Sequence, residues 1–187
     1  ASLMLEPPTW GHRIGACASG CMGYLLMVPV LIGLALLLSP WERDSLGDRM
    51  SILRDGDFVF QIVLAVAAFT IVPVCEEIFF RGYAFNTLRT KFQDTWAVVL
   101  QAALFGVLHP YSFTYPIYIF AVGLGLGIVY QKRKRLLAPI VMHCCFNAVG
   151  ASLILAATLL NQHDPSRNWE EARRVLTPPD WLIDQVD

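Results

Sequence analysis

The chain has 187 residues, 56% of them hydrophobic and 16% charged, with a net charge of −1 and a mean hydropathy of +0.52. Soluble domains lie nearer about 45–50% apolar and about 25% charged, so this balance points to a membrane protein. The near-zero charge argues against a nucleic-acid partner, and the length suits one domain.

Residues 1–13 are polar and proline-bearing and read as a loop. Ile14 to Leu38 carries no charge and is long enough for a span, which takes about 20 helical residues. Pro29 is a candidate kink, and Ser39-Pro40 ends the run. Residues 41–57 form a charged loop with Trp41 as an interface anchor. A second span starts near Phe58 and runs into Glu76-Glu77. Pro73 lacks an N–H, which frees the carbonyl of Phe69 and favours a bend just before the glutamates. The helix is expected to continue through Tyr83 and Ala84, and residues 86–94 form a polar connection.

From Thr95 to Gln131 there is no Asp, Glu, Lys or Arg. His109-Pro110 and Pro116 divide this stretch into a third span, Trp96–His109, and a fourth, Ile117–Tyr130. Gly123 and Gly127 give the small-xxx-small face of packed membrane helices; no strand precedes them, which argues against a nucleotide loop. Lys132-Arg133-Lys134-Arg135 marks a cytoplasmic loop. A fifth span runs from Leu136 to about Leu160. The fold expected is an all-α, polytopic transmembrane helical bundle of about five spans. Residues 1–160 form its membrane domain and residues 161–187 a polar tail with His163, Trp169 and Trp181. The chain opens on Ala, as a processed chain or a fragment with further spans upstream would.

A charged side chain at mid-bilayer costs about 2.5–3.5 kcal/mol, so such residues pair, face a protein interior or do chemistry. Those left at membrane depth are Glu76, Glu77 and Arg81 on the second span, His109 on the third, and His143 with Asn147 on the fifth. Glu77 and Arg81 are four apart and share a helix face; Glu76 is turned about 100° away and left for another task. His143 and Asn147 have the same spacing, as have Phe105 and His109. Taken singly, each is explained by a salt bridge or a helix–helix hydrogen bond. Together on three helices they describe one buried hydrophilic pocket. In the topology above, His109 lies nearer the outer end of its span and His143 nearer the inner end. A shared site then requires the third span to tilt, re-enter, or start before Trp96.

The chemistry of these groups fits hydrolysis. A desolvated carboxylate can accept a proton from water, and Arg81 can hold the second carboxylate fixed. Asn147 and a histidine N–H can stabilise an oxyanion. Two histidines and a glutamate, Glu76, His109 and His143, also suit a catalytic zinc, although no H-E-x-x-H pattern occurs. The five cysteines, Cys17, Cys21, Cys75, Cys144 and Cys145, lie in apolar runs and read as small apolar residues. A thiol mechanism at Cys144 or Cys145 would lack an activating partner, since neighbours on a helix diverge.

Three motifs now stand in order on separate hydrophobic helices: Glu76-Glu77-Ile78-Phe79-Phe80-Arg81, Phe105-Gly106-Val107-Leu108-His109, and His143-Cys144-Cys145-Phe146-Asn147. The set resembles the E-E-x-x-x-R, F-x-x-x-H and H-x-x-x-N motifs of the CAAX protease and bacteriocin-processing (CPBP, or Abi) intramembrane proteases, over about residues 70–150. The resemblance implies a peptidase acting on a membrane-anchored peptide or protein within a lipid bilayer. Glu76 would be the general base and His109 its partner on the water. Glu77 with Arg81 would support the site, and His143 with Asn147 would form the oxyanion pocket. The family is described both as metal-dependent and as glutamate-dependent without metal, so the zinc alternative stays open. A multi-pass protein is expected, in the plasma membrane if the source is bacterial. The rival readings are a noncatalytic immunity or scaffold protein that keeps the fold, and a small proton-coupled transporter.

Overall fold

The computed structural model describes residues 9–38, 58–110, 112 and 114–162. Expectations for Trp41, the 41–57 loop, His163, Trp169 and Trp181 lie outside the described residues. Residues 1–152 form one compact unit; residues 153–187 fall in a second, whose described part is the end of the last helix. Every described element is helical, without a strand among them. In chain order they are α1 (Trp10–Leu38), α2 (Phe58–Phe69), α3 (Ile71–Glu77), a π-helical segment (Ile78–Ala84), α4 (Phe85–Leu88), α5 (Asp94–Val107), α6 (Tyr115–Arg133) and α7 (Leu137–Gln162).

Two helical stretches, Trp10–Leu38 and Val59–Leu88, are long and apolar enough to cross a membrane. Almost none of their apolar windows is buried in the protein, unlike the core helix of a soluble domain. Leu25, Leu36, Val59 and Val63 all face outward. Bare apolar faces of this extent belong against hydrocarbon. Asp94–Val107 and the first part of α7 are apolar but shorter, so among the described residues length and composition identify two spans, and the expected count of about five is not reached by this measure. At about 1.5 Å per residue, a helix as short as α5 falls well below the roughly 30 Å of a bilayer core.

Several boundaries differ from the expected ones for local reasons. α1 begins at Trp10, inside the expected loop. The bend before the glutamates falls at Thr70 (φ −119°, ψ −69°), three residues ahead of Pro73. The Thr70 hydroxyl donates to Val66 O at 2.6 Å, and the Asn147 amide donates to Ala68 O at 2.8 Å. These two bonds serve carbonyls at the end of α2, where the proline ring interrupts regular winding.

Beyond Glu77 the helix continues, as expected, but widens into π winding: the Phe85 N–H reaches the carbonyl of Phe80, five residues back. Asn86 stabilises this turn. Its Nδ2 donates to Arg81 O at 2.9 Å and to Gly82 O at 2.8 Å, and lies 3.0 Å from the Tyr130 hydroxyl on α6. Single π turns are common at functional sites.

α5 and α6 pack antiparallel through glycine. A Cβ placed on Gly123 would lie 3.1 Å from Cα of Ala102, and one on Gly127 would lie 2.5 Å from Nε2 of Gln101. A side chain at either position would require its neighbour on α5 to shift, which supports close packing as the role of these glycines. The core between the helices is Phe80, Phe105, Val122, Leu126 and Met142, with Tyr24, Met27 and Phe146 against it. A second cluster joins Phe85, Ala97, Val98 and Tyr130. α6 ends at Lys134, whose left-handed backbone (φ 54°) turns the chain back into α7.

Candidate active site

All six residues expected from the sequence lie in this unit, and five of them meet. Glu77 and Arg81 are fully buried, with Nη1 of Arg81 donating to Oε1 of Glu77 at 2.7 Å. The same Oε1 accepts the Nδ1–H of His143 from α7 at 2.8 Å. Nη2 of Arg81 donates elsewhere, to the carbonyl of Gly123 at 3.1 Å. Its guanidinium also lies 5.0 Å from the ring centre of Phe105 and 5.9 Å from that of Phe80, within cation–π range.

Glu76, turned about 100° from Glu77 around the helix, reaches the other nitrogen of the same His143 ring. Its Oε1 is 3.5 Å from Nε2 of His109, and its Oε2 is 3.5 Å from Nε2 of His143. Both histidines are fixed through the other ring nitrogen. His109 Nδ1 is 2.7 Å from the carbonyl of Phe105, and His143 Nδ1 meets Glu77. A carbonyl and a carboxylate only accept, so both Nδ1 atoms carry protons. In the neutral rings, each Nε2 then presents a lone pair toward Glu76. Three lone-pair-bearing groups facing one another need a hydrogen donor between them, and water offers two.

The members differ in access. Glu77 and Arg81 have 0% of their side chains exposed and His143 has 5%, whereas His109 and Glu76 have 17% and 23%. Glu76 and His109 therefore form the reachable edge of the cluster. Phe105 is its hub: its ring lies 4.7 Å from His109, 5.7 Å from His143 and 4.7 Å from Phe80, centre to centre. His109 and His143 both reach Glu76: α5 starts at Asp94, ahead of Trp96, and His109 lies just past its end, held by the Phe105 carbonyl.

Asn147 is the exception. Its amide donates to Ala68 O at the α2 bend rather than to either glutamate. Among the described residues, no group of three or more His, Cys, Asp or Glu side chains is arranged to hold a metal ion. The three residues named for the zinc alternative, Glu76, His109 and His143, stand together, with each imidazole Nε2 3.5 Å from a different oxygen of Glu76. All five cysteines are free thiols.

One residue of the site was not anticipated. Gln101 on α5 is completely buried, and its Nε2 donates to Gly123 O at 3.1 Å and to Val98 O at 3.0 Å. It shares the Gly123 carbonyl with Arg81 and so ties α5 to the same point of α6. The signal was available, since Gln101, Phe105 and His109 follow at i, i+4 and i+8 on one helix face.

Residues 58–149 match the family described as type II CAAX prenyl endopeptidase Rce1-like. The chain is also similar to "Putative membrane peptidase YdiL" of Bacillus subtilis (strain 168), with 27% identity over 116 residues. That match covers 62% of this chain and 44% of the relative, so the chain spans less than half of the relative's length. No solved structure matches the chain significantly. The matched region, residues 58–149, contains all three motifs and every residue of the buried cluster, and the chain belongs to the Rce1-like family of the CPBP group of membrane proteins.

Proposed function

We propose that the chain is a multi-pass intramembrane endopeptidase that hydrolyses a peptide bond of a membrane-associated peptide or protein, using water activated by Glu76. The observation that carries the reading is the facing of both Glu76 oxygens by histidine Nε2 atoms, each ring locked at Nδ1. A water among these groups gives one hydrogen to Glu76 and one to an imidazole. As its oxygen adds to the scissile carbonyl carbon, Glu76 takes the proton; the C–N bond then breaks as that proton passes to the leaving amine.

Charge counting agrees with this role. With neutral imidazoles, Glu76, Glu77 and Arg81 sum to −1, and as Glu76 takes the proton from water that charge passes to the carbonyl oxygen of the tetrahedral intermediate, with Arg81 the nearby positive charge. Glu77 orients His143 as a buried carboxylate orients the histidine of a hydrolase triad, and can stabilise its protonated form. Arg81, Gln101 and Phe105 keep Glu77 and the rings in place. Family membership supports the reaction class and a substrate held in the bilayer, which would enter between helices from the side.

The test compares membrane proteomes of cells carrying the wild type and Glu76→Gln. A protein that accumulates uncut only with the variant identifies both activity and substrate. Identical proteomes in a strain lacking the chain, the variant and the wild type would favour a noncatalytic membrane partner instead.

A further inference from the structure

A cavity of about 310 Å³ lies between α1 and α6, lined by Met22, Leu26, Met27, Ile128 and Val129 among others, with Lys132 and Arg133 also in its wall. The two helices run antiparallel. A Cβ on Gly125 would lie 3.0 Å from Met27, and one on Gly23 would lie 3.1 Å from Val129. The same register brings Ser19 toward Arg133, at the end of α6 that carries the basic run. The cavity is thus apolar at one end and basic at the other. Ser19 does not change this, because its hydroxyl donates back to Gly15 O and Ala16 O, each at 2.9 Å.

The cations are available. Lys134 is taken by Asp94 at 3.0 Å, but among the described residues neither Lys132 nor Arg133 has an ionic partner, and both are exposed. Their long stems can lie along the apolar wall while the charges reach the headgroup layer. A cavity of this size is at the lower end of the roughly 300–1,000 Å³ range of ligand sites. An occupant that satisfies both ends needs a hydrocarbon chain and an anionic head.

We infer that this cavity is a binding site for an anionic phospholipid, with one acyl chain between α1 and α6 and its phosphate on Lys132 and Arg133. The site is separate from the Glu76 cluster and holds whether or not that cluster cleaves peptides. Basic pockets between membrane helices attract such headgroups through the same charge complementarity.

The experiment titrates the full chain in neutral detergent with phosphatidylglycerol or phosphatidylcholine and counts bound lipid by native mass spectrometry. Phosphatidylglycerol should bind tighter. Lys132→Gln with Arg133→Gln should weaken it about 25-fold, roughly fivefold per cation, and leave phosphatidylcholine unchanged. Lys91→Gln with Arg135→Gln removes equal charge outside the lining and should leave both lipids unchanged. Ile128→Trp, which fills the cavity with all cations present, should also weaken phosphatidylglycerol; if it fails to fold, the two charge pairs decide alone. Equal binding of the two lipids to the wild type, or equal losses from the two charge pairs, overturns the proposal.

Discussion

Glu77 and His143 are joined by a 2.8 Å hydrogen bond across 66 positions of sequence, and this bond ties the first motif-bearing helix to the last. The accepting oxygen also takes the Arg81 guanidinium, so one buried atom fixes three side chains. Glu76, the next residue back, is thereby released from structural duty. Its carboxylate faces two imidazoles instead of a cation.

This division of labour predicts opposite outcomes for the two glutamates. Glu76→Gln keeps the shape and removes the base, so cleavage of the true substrate should fall by about 10²–10⁴-fold, the usual worth of a general base. The variant should insert and melt like the wild type, because Glu76 is partly exposed and makes no bond as short as those of Glu77. Full cleavage by Glu76→Gln, measured on the substrate found by proteomics, would refute its assignment.

Arg81→Ala should act through stability. It leaves Glu77 buried, with its charge answered only by the neutral His143, and removal of one partner from a buried pair costs about 3–5 kcal/mol. Glu77→Gln together with Arg81→Met removes both charges and should recover part of that loss. Thermal unfolding of the detergent-solubilised chain measures both. A melting point for Arg81→Ala equal to that of the wild type would show that the pair is not held as described.

The helices were legible because charge-free runs are long and charges sparse, and the motif spacings placed five of the six site residues in one cluster. What was not legible depends on contacts between distant segments. The π turn differs from an α turn by which carbonyl the Phe85 N–H reaches, and Asn86, 3.0 Å from the Tyr130 hydroxyl of α6, donates to the Arg81 and Gly82 carbonyls within it. The bend falls at Thr70, where Asn147, far along the chain, supplies a donor to the carbonyl of Ala68. Gln101 was passed over because it is uncharged, although a buried amide in a membrane helix calls for the same question as a histidine.

Asn147 separates two roles by measurement. Its bond to Ala68 O makes it a brace for the bend, and Asn147→Ala should cost about 1–3 kcal/mol by leaving that carbonyl without its donor. The rate per folded molecule should then change little. An oxyanion donor would give the reverse: unchanged stability and a rate lower by about 10²–10³-fold.

Metal dependence has an equally direct test. With Glu76 rather than a metal ion activating water, exhaustive chelation should leave cleavage intact. Elemental analysis of active protein should find no stoichiometric zinc. Loss of activity on chelation, restored by zinc alone, would reassign Glu76, His109 and His143 as ligands.

The start of α5 carries a pH-dependent tie. Lys134 donates to Oδ2 of Asp94 at 3.0 Å, and Nε of Arg89 lies 3.3 Å from Oδ1. The bond from Lys134, with the charges of both cations, holds the Asp94 carboxyl below its ordinary range. A carboxyl lowered in the folded state stabilises the fold fully above its unfolded value, near 3.9. That contribution is lost as pH falls through the lower folded value. The tie is therefore constant at neutral pH and disappears only in acid. Because the pair is solvent-exposed, salt weakens it as well. Hydrogen exchange of residues 130–135 in the wild type and in Asp94→Asn provides the comparison. Protection should be higher in the wild type above about pH 4, and the two should converge below it, where protonated Asp94 matches the amide. A difference that persists unchanged into strong acid, or at high salt, would show that Asp94 acts on this loop through something other than its charge.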